Sequence, residues 1–288
     1  MIKVHYDSSF KEAYYKDIAH RKFRDENNKT LETIYNEKFK DVIGVDLKPL
    51  LCGSFEILPK IELDDTQKEC MKKIFNYQDK FQNHISDLFK KHLEIHTCYY
   101  CNIDFINIFK KTNKNLLTGY TLDHIVNKAK YPYLSLSLYN LIPTCYICNS
   151  KLKKEYDIGE CVPTSSTFDF DEKVKFKTFM NNAMLQVEST DDFALLLKED
   201  FTDIYTKYID VLALDGRYEY HKYKVIEMIL KRKEYPDSRI KELAVLTEKT
   251  EEQVKQDLFG EYLFEDDTLH KRSLSKLIKD ISIELGLV

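Results

Sequence analysis

Apolar side chains recur at helical spacing in the first third of the chain. One such stripe covers positions 10–18, and a second covers 31–39 after a threonine that can cap the helix. Between 41 and 63, glycine and proline residues interrupt the pattern, which favours a loop. A further stripe over 64–89 predicts one long helix that delivers the chain to Cys98.

The last part of the chain begins with alternation and then returns to helical spacing. Positions 174–177 alternate apolar and basic residues, which predicts a short strand with one positive face. From Asp191 onward the pattern reads as helical, including the apolar run 193–197. Thr250 opens a capping box ahead of a helix that Gly260 is expected to end.

The centre of the chain reads as two short strands followed by a helix. Positions 119–125 are predicted to form the first strand, and 140–144 the returning strand. The lysine-rich stretch 145–155 favours a helix. This order brings an aspartate and a histidine, at the end of the first strand, close to an asparagine in the first turn of the helix.

Composition supports a helix-rich globular chain. With 288 residues, 43% of them hydrophobic, it can form one large domain or two small ones. The chain has only 7 Gly and 6 Pro, and these low counts disfavour a turn-rich sandwich or barrel. We therefore expect an α+β, mainly helical chain with a helical region at 1–95, a central module at 96–160 and a mostly helical region at 161–288.

Several function classes are disfavoured by what the sequence lacks. No apolar run approaches the ~20 residues of a membrane helix, and the N-terminus has no apolar signal core. No glycine-rich phosphate loop is present, which argues against an ATPase or a dinucleotide enzyme. Seven cysteines, four of them in two close pairs, suit a reducing compartment with a metal site better than a disulfide framework. We expect a cytoplasmic protein without membrane contact.

The two cysteine pairs predict a structural zinc site. Cys98 and Cys101 have the two-residue spacing at which both sulfurs of one turn can face one ion, and Cys145 and Cys148 repeat it. Four thiolates complete a tetrahedron and leave no open position, so the expected zinc would be structural. A redox dithiol or free cysteines are the alternatives.

The central module is basic within an acidic chain. Positions 98–154 hold eight Lys and two Asp, a net charge of +6, so the remainder carries −10 of the total of −4. Such a distribution is typical of a local surface that faces phosphate. Chance clustering in a lysine-rich chain is the alternative.

The polar residues of this stretch resemble the HNH nuclease family, whose core is a ββα-metal finger. In the zinc-bearing branch of that family the motifs run Cys-x-x-Cys, Asp-His, Asn-Leu, Cys-x-x-Cys-Asn and Lys. The same order is present here, as Cys98/Cys101, Asp123-His124, Asn140-Leu141, Cys145/Cys148-Asn149 and Lys151. The resemblance covers only 98–154 and implies a central HNH finger stabilised by the zinc.

The resemblance also implies a role for each polar residue. His124 would be the general base that accepts a proton from the attacking water. Asp123 and Asn149 would be ligands of a catalytic Mg²⁺ or Mn²⁺. Asn140 would fix the loop that orients His124. Lysines near these residues are expected to contact DNA phosphates, namely Lys128, Lys130, Lys151 and Lys153.

The expected function is metal-dependent hydrolysis of DNA phosphodiester bonds, on both strands if two copies act together. The layout is similar to HNH effectors of bacterial antiphage defence, including the Septu type, which implies an ATPase or other defence partner. A zinc-ribbon protein that binds nucleic acid without catalysis is one alternative, although it gives no reason for the Asp, His and two Asn to coincide. A sequence-specific restriction or homing enzyme of the same family is the other.

Overall fold

The computed structural model describes residues 1–112, 115–181, 187–200, 202–260 and 269–288. About half of this chain is helical, and its strands form small two-stranded sheets, which confirms the α+β class. The helices of the first half are α1 Ser8–Ala19, α2 Leu31–Lys38, α3 Lys40–Ile43, α4 Leu47–Cys52, α5 Asp65–Ile74 and α6 Gln82–His92. Those of the second half are α7 Phe170–Lys173, α8 Thr206–Val211, α9 Leu214–Glu219, α10 Lys222–Glu234, α11 Asp237–Thr247, α12 Glu251–Phe259 and α13 Ser275–Glu284.

The strands of the described residues pair as four antiparallel hairpins. Each strand pairs with the next one along the chain, so every sheet is local in sequence. The pairs are β1 Lys22–Phe23 with β2 Lys29–Thr30, β3 Ile108–Thr112 with β4 Asn115–Thr118, β5 Thr121–His124 with β6 Leu141–Thr144, and β7 Val174–Met180 with β8 Phe193–Glu199. A π-helical segment, Ile147–Lys153, follows β6 and is called the site helix below.

The long helix predicted before Cys98 is interrupted. The chain forms α5 and α6, with a π-helical turn at Tyr77–Phe81 between them. Phe75 and Tyr77 are both buried, although residues two apart cannot share one face of a straight helix. The break turns Tyr77 toward the centre of the molecule, where its ring packs edge-to-face on His124 with the centroids 4.6 Å apart.

The apolar run 193–197 is a strand, and the prediction of helix from Asp191 onward is wrong there. Phe193, Leu195 and Leu197 are buried, and the residues between them are less so. A five-residue apolar run fits a buried helix or a strand equally well. Pairing with β7, whose start was predicted, selects the strand. The capping box at Thr250 and the helix end at Gly260 are confirmed.

One continuous hydrophobic core runs through the regions 1–95, 96–160 and 161–288. A small second cluster holds Ile240, Ala244 and Val254 between α11 and α12. Buried tyrosines of α1 and the segment before it donate hydrogen bonds to backbone carbonyls beside β6, with Tyr6 bound to Leu141 at 2.7 Å and Tyr14 to Leu136 at 2.9 Å. The regions 1–95 and 161–288 therefore pack on the central module and share one hydrophobic core with it.

A membrane span requires a longer and more apolar helix than any in the described part of the chain.

Candidate functional site

The central module consists of the β5–β6 hairpin and the site helix. The register pairs Asp123 with Ile142 and His124 with Leu141, so both polar residues lie at the end of β5. The chain leaves β6 at Thr144 and enters the site helix three residues later, which carries Asn149 back past the start of β5. The amide of Asn149 donates to Thr121 Oγ1 at 2.9 Å. The site helix therefore runs alongside β5, with Asn149 at the start of the strand and Lys153, which donates to the His124 carbonyl at 2.8 Å, at its end.

The four cysteines of the two pairs form one buried cluster. Their sulfur atoms all lie within 4.8 Å of one another, and Cys101 Sγ is 4.0 Å from Cys145 Sγ. A ZnS₄ tetrahedron with bonds of about 2.3 Å places its sulfurs roughly 3.8 Å apart, so the cluster fits zinc. Backbone amides also point at the sulfurs, from Cys145 to Cys98 at 3.3 Å and from Cys148 to Cys145 at 3.4 Å. The cluster could hold a structural metal ion such as zinc.

The C-terminal region supports the cysteine cluster with groups that the sequence did not single out. Arg217 of α9 donates to Cys148 Sγ at 3.1 Å and to Asp104 at 2.9 Å. Four thiolates around Zn²⁺ carry a net charge of −2, which the partly buried guanidinium of Arg217 partly balances. Tyr218, the next residue, donates to the Cys101 carbonyl at 2.7 Å. Arg217 lies 69 residues after Cys148, and no motif joins the two positions.

A polar cleft of about 480 Å³ opens beside the hairpin. Its walls come from the α5–α6 break, from β5 and the loop after it, and from the site helix. The polar and charged side chains among its lining residues include Tyr77, Thr121, Asp123, His124, Asn127, Lys128, Asn149, Lys153 and Lys154. The structure therefore brings Asp123, His124 and Asn149 to one cavity.

His124 is almost fully buried at the back of this cleft. Its Nε2 lies 3.0 Å from the carbonyl oxygen of Ser135. A carbonyl only accepts hydrogen bonds, so Nε2 carries the proton and Nδ1 holds the lone pair in the neutral ring. Burial lowers the pKa of His124 to about 3, and repulsion from Lys128 and Lys153 adds to the effect. The ring is therefore neutral at pH 7.

Asp123 is buried and shares one of its oxygens between two donors. Oδ2 accepts a hydrogen bond from the hydroxyl of Tyr100 at 2.8 Å and lies 3.1 Å from Nζ of Lys153. Lys153 also donates to the backbone carbonyl of His124 at 2.8 Å. Burial raises the pKa of Asp123, and Lys153 and Tyr100 oppose that rise. The backbone N–H of His124 also hydrogen-bonds this carboxylate, and Oδ1 is the oxygen that neither Tyr100 nor Lys153 engages.

Asn140 lies buried beneath the loop that follows β5. Its Oδ1 accepts from the backbone amide of Val126 at 2.6 Å, and its Nδ2 donates to the carbonyl of Leu134 at 2.9 Å. The backbone carbonyl of Asn140 also accepts from Ile125 at 3.0 Å. These bonds hold both ends of the loop that carries Ser135, the partner of His124.

The four lysines expected at phosphate lie in different environments. Lys128 lines the cleft with its ammonium 5.4 Å from the centroid of the Tyr77 ring. Lys130 and Lys151 are exposed and do not line the cleft. Lys153 is buried, and its ammonium is engaged by Asp123 and His124 rather than presented to solvent. Lys154, which was not among the four, is exposed at the cleft.

Two further residues of the site, Tyr77 and Tyr100, were not predicted from the sequence to contact His124 or Asp123. Tyr77 packs on His124 because the helix before the module breaks, and the apolar stripe gave no sign of that break. Tyr100 reaches Asp123 from the turn between Cys98 and Cys101. Its position within the Cys-x-x-Cys turn was the available signal, but tyrosine is abundant in this chain and usually packs in cores.

The cleft lining offers the carboxylates of Asp123 and Glu155, the neutral imidazole of His124 and several side-chain amides, including that of Asn149. Among the described residues, the cysteine cluster is the only group of three or more His, Cys, Asp or Glu side chains close enough to share an ion. An ion in the cleft could be held by Asp123 Oδ1, the amide oxygen of Asn149, water and substrate. Mg²⁺ sites with one or two carboxylates plus substrate phosphate have this composition. Oxygen donors of this kind are the type that hard divalent ions prefer.

Comparisons of the chain with protein-family models, with curated proteins and with solved structures give no match.

Proposed function

We propose that the chain is a metal-dependent endonuclease of the HNH type that hydrolyses DNA phosphodiester bonds. The observation that carries this proposal is the convergence of Asp123, His124 and Asn149 on one cleft, beside a four-cysteine cluster that fits structural zinc. The hairpin and site helix supply that convergence in the order expected of a ββα-metal finger. A zinc ribbon that only binds nucleic acid needs no such polar cleft.

His124 is the proposed general base. The Ser135 carbonyl holds the proton on Nε2, so Nδ1 is free to accept a proton from water. Asn140 fixes the loop that carries Ser135 and thereby sets the orientation of the ring. The low pKa of His124 keeps the base neutral in the resting protein. A phosphate anion entering the cleft would stabilise the imidazolium and raise that pKa toward the range useful for proton transfer.

Asp123 and Asn149 are the proposed ligands of the catalytic Mg²⁺ or Mn²⁺. When bound, that ion would supply positive charge to stabilise the phosphate oxygens and the leaving 3′-oxygen. Asp123 offers Oδ1, since Oδ2 is engaged by Tyr100 and Lys153. The amide of Asn149 is held by its bond to Thr121, which fixes the plane of the amide. Oxygen ligands of this kind suit hard divalent ions.

The lysines give the cleft its affinity for phosphate in this proposal. Lys128 and Lys154 lie at the cleft and can contact the phosphates next to the scissile bond. Lys130 and Lys151 are exposed nearby on the chain and would contact the backbone further along. Lys153 does not serve as the expected phosphate contact in this proposal, because its ammonium is paired with Asp123 inside the protein.

A role as a defence effector that works with an ATPase partner is the second part of the proposal. It rests on the likeness of the layout to antiphage HNH effectors, and on the lack of a recognisable DNA-reading module in the regions that flank the nuclease motif. Cleavage of both DNA strands would follow if two copies of the chain act together.

The test is cleavage of supercoiled plasmid DNA by the purified protein. We expect cleavage with Mg²⁺ or Mn²⁺ and none with EDTA, since the ion in the cleft is held by few protein ligands. His124→Ala should slow cleavage by about 10²–10⁴-fold, the usual contribution of a general base. His20→Ala is the matched control, because His20 is exposed and does not line the cleft.

Cleavage by His124→Ala at the rate of the wild type would rule out His124 as the base. DNA binding without cleavage in every divalent ion would favour the zinc-ribbon alternative. Discrete fragments, rather than a smear, would indicate a sequence-specific enzyme of the restriction or homing type.

A further inference from the structure

Asp123 is held from two sides by donors that belong to the segments anchored by the cysteines. Tyr100 lies in the turn between Cys98 and Cys101, and its hydroxyl donates to Asp123 Oδ2 at 2.8 Å. Lys153 ends the site helix, which contains Cys148, and its ammonium lies 3.1 Å from the same oxygen. Tyr100 is 0% exposed and Lys153 is 1% exposed, so water does not compete for these bonds.

We propose that Tyr100 is a positioning residue that fixes Asp123 as a one-oxygen ligand in the cleft. This inference rests on the function proposed above. With both donors on Oδ2, the carboxylate cannot rotate freely, and Oδ1 remains for the divalent ion. The turn that carries Tyr100 is itself shaped by two cysteines of the zinc cluster. The hydroxyl of Tyr100 therefore links the turn of the cysteine cluster directly to the cleft.

The ring of Tyr100 and its hydroxyl have separable tasks. The ring packs edge-to-face on Tyr208 with centroids 6.0 Å apart, and the Tyr208 hydroxyl donates to the Tyr100 carbonyl at 2.9 Å. Tyr218 holds the same turn through the Cys101 carbonyl at 2.7 Å. None of these contacts uses the hydroxyl of Tyr100. A phenylalanine at this position should keep the turn and its packing and remove only the bond to Asp123.

Loss of that bond should weaken the cleft as a metal site. Lys153 would then be the remaining partner of Asp123 Oδ2, and the carboxylate could turn both oxygens toward the ammonium. An ammonium that engages both oxygens competes directly with a divalent cation. Outer partners of metal ligands typically contribute 10–100-fold in affinity or activity.

The experiment compares Tyr100→Phe with Tyr99→Phe, the adjoining residue of the same turn. In the described part of the chain, the hydroxyl of Tyr99 makes no hydrogen bond to Asp123, so it controls for the general effect of losing a buried hydroxyl. Zinc content, melting temperature, Mn²⁺ affinity by electron paramagnetic resonance and plasmid cleavage are measured on each. We expect unchanged zinc content in both variants, with Mn²⁺ affinity and cleavage reduced about 10–100-fold in Tyr100→Phe alone.

Wild-type Mn²⁺ affinity in Tyr100→Phe would overturn the inference, as would an equal loss in Tyr99→Phe. If the wild type binds Mn²⁺ but cleaves no DNA, the nuclease proposal fails while the affinity comparison still decides the role of Tyr100. If the wild type binds no Mn²⁺ in addition to its zinc, the positioning role is also overturned.

Discussion

Two buried lysine–aspartate pairs lie in different parts of this molecule and serve different ends. Lys153 and Asp123 are 3.1 Å apart, with side chains 2% and 4% exposed. Lys276 and Asp280 are 2.7 Å apart, with both side chains 1% exposed. Their chemistry and burial are nearly the same, and the difference between them lies in what surrounds each pair.

The Lys276–Asp280 pair is enclosed by partners that satisfy it. Asp280 accepts from the backbone amide of Phe176 at 2.8 Å, which ties α13 to β7. Lys276 contacts both oxygens of Asp280 and donates to the carbonyl of Asp171 at 2.9 Å. It also lies 3.2 Å from the carboxylate of Asp171. No oxygen of Asp280 is left for a ligand, so this pair is part of the scaffold.

The Lys153–Asp123 pair borders a cleft, and the contacts from Tyr100 and Lys153 both fall on one oxygen of Asp123. Both residues line the cavity that also contains His124 and Asn149. Burying a charge pair costs desolvation energy in either place, and in the core that cost is offset by the attraction between the two charges together with their hydrogen bonds. At the cleft, the buried pair instead places the Asp123 carboxylate beside the neutral ring of His124. The comparison teaches that access to a cavity, and not burial of charge, marks the candidate functional site.

Replacement of one aspartate from each pair should separate the two roles most strongly. Asp123→Asn should lower the rate of metal-dependent cleavage by about 10²–10³-fold, since it removes the only carboxylate ligand proposed for the ion. Asp280→Asn should leave the rate unchanged at temperatures where the variant is folded. Cleavage rates of both variants at one Mg²⁺ concentration provide the measurement, and an equal loss in both would break the distinction.

The buried Lys276–Asp280 pair should contribute strongly to the free energy of unfolding. Lys276→Met should lower the free energy of unfolding by about 3–5 kcal/mol, because it leaves a buried Asp280 without its cation. Lys276→Met combined with Asp280→Leu should recover much of that loss. Lys72→Met, which breaks an exposed pair with Glu69, should cost far less. Denaturant unfolding of the three variants tests this order. A loss in free energy of unfolding for Lys276→Met as small as that for Lys72→Met would contradict it.

The smallest predicted effect concerns Asp171, which borders the core pair. Burial opposes ionisation, but Lys276 and Lys279 outweigh it and lower the pKa of Asp171 to about 2 from 3.8. The ionised form therefore stabilises the fold by about 2 kcal/mol above pH 4, and this contribution is lost as the pH falls through 2. Asp171→Asn should be less stable than the wild type by that amount at pH 7. The gap should shrink below pH 4, and a gap independent of pH would refute this account.

Local patterns predicted much of this structure. The hairpin and helix of the central module lie where alternation and composition placed them, and the spacing of the cysteines predicted their cluster. These features depend on neighbours in sequence, since each hairpin joins adjacent strands. The α+β class followed from the same local signals.

The remainder depends on contacts between distant parts of the chain. The break that places Tyr77 on His124 depends on packing that helical periodicity does not encode. The burial of Lys153 was missed because a lysine-rich helix reads as exposed on every face. Arg217 reaches Cys148 from a helix in another region, and only the folded chain brings the two together.

The central claim is that the chain has two metal sites of different kinds, a closed cysteine cluster and an open cleft at Asp123. The most direct measurement is a Mn²⁺ titration, followed by electron paramagnetic resonance, of zinc-loaded wild type, Asp123→Asn and Asp280→Asn. The account predicts one tightly held zinc in all three proteins. It predicts a weaker Mn²⁺ site, removable with EDTA, in the wild type and Asp280→Asn but not in Asp123→Asn. Equal Mn²⁺ binding by Asp123→Asn, or no Mn²⁺ binding by the wild type, would contradict it.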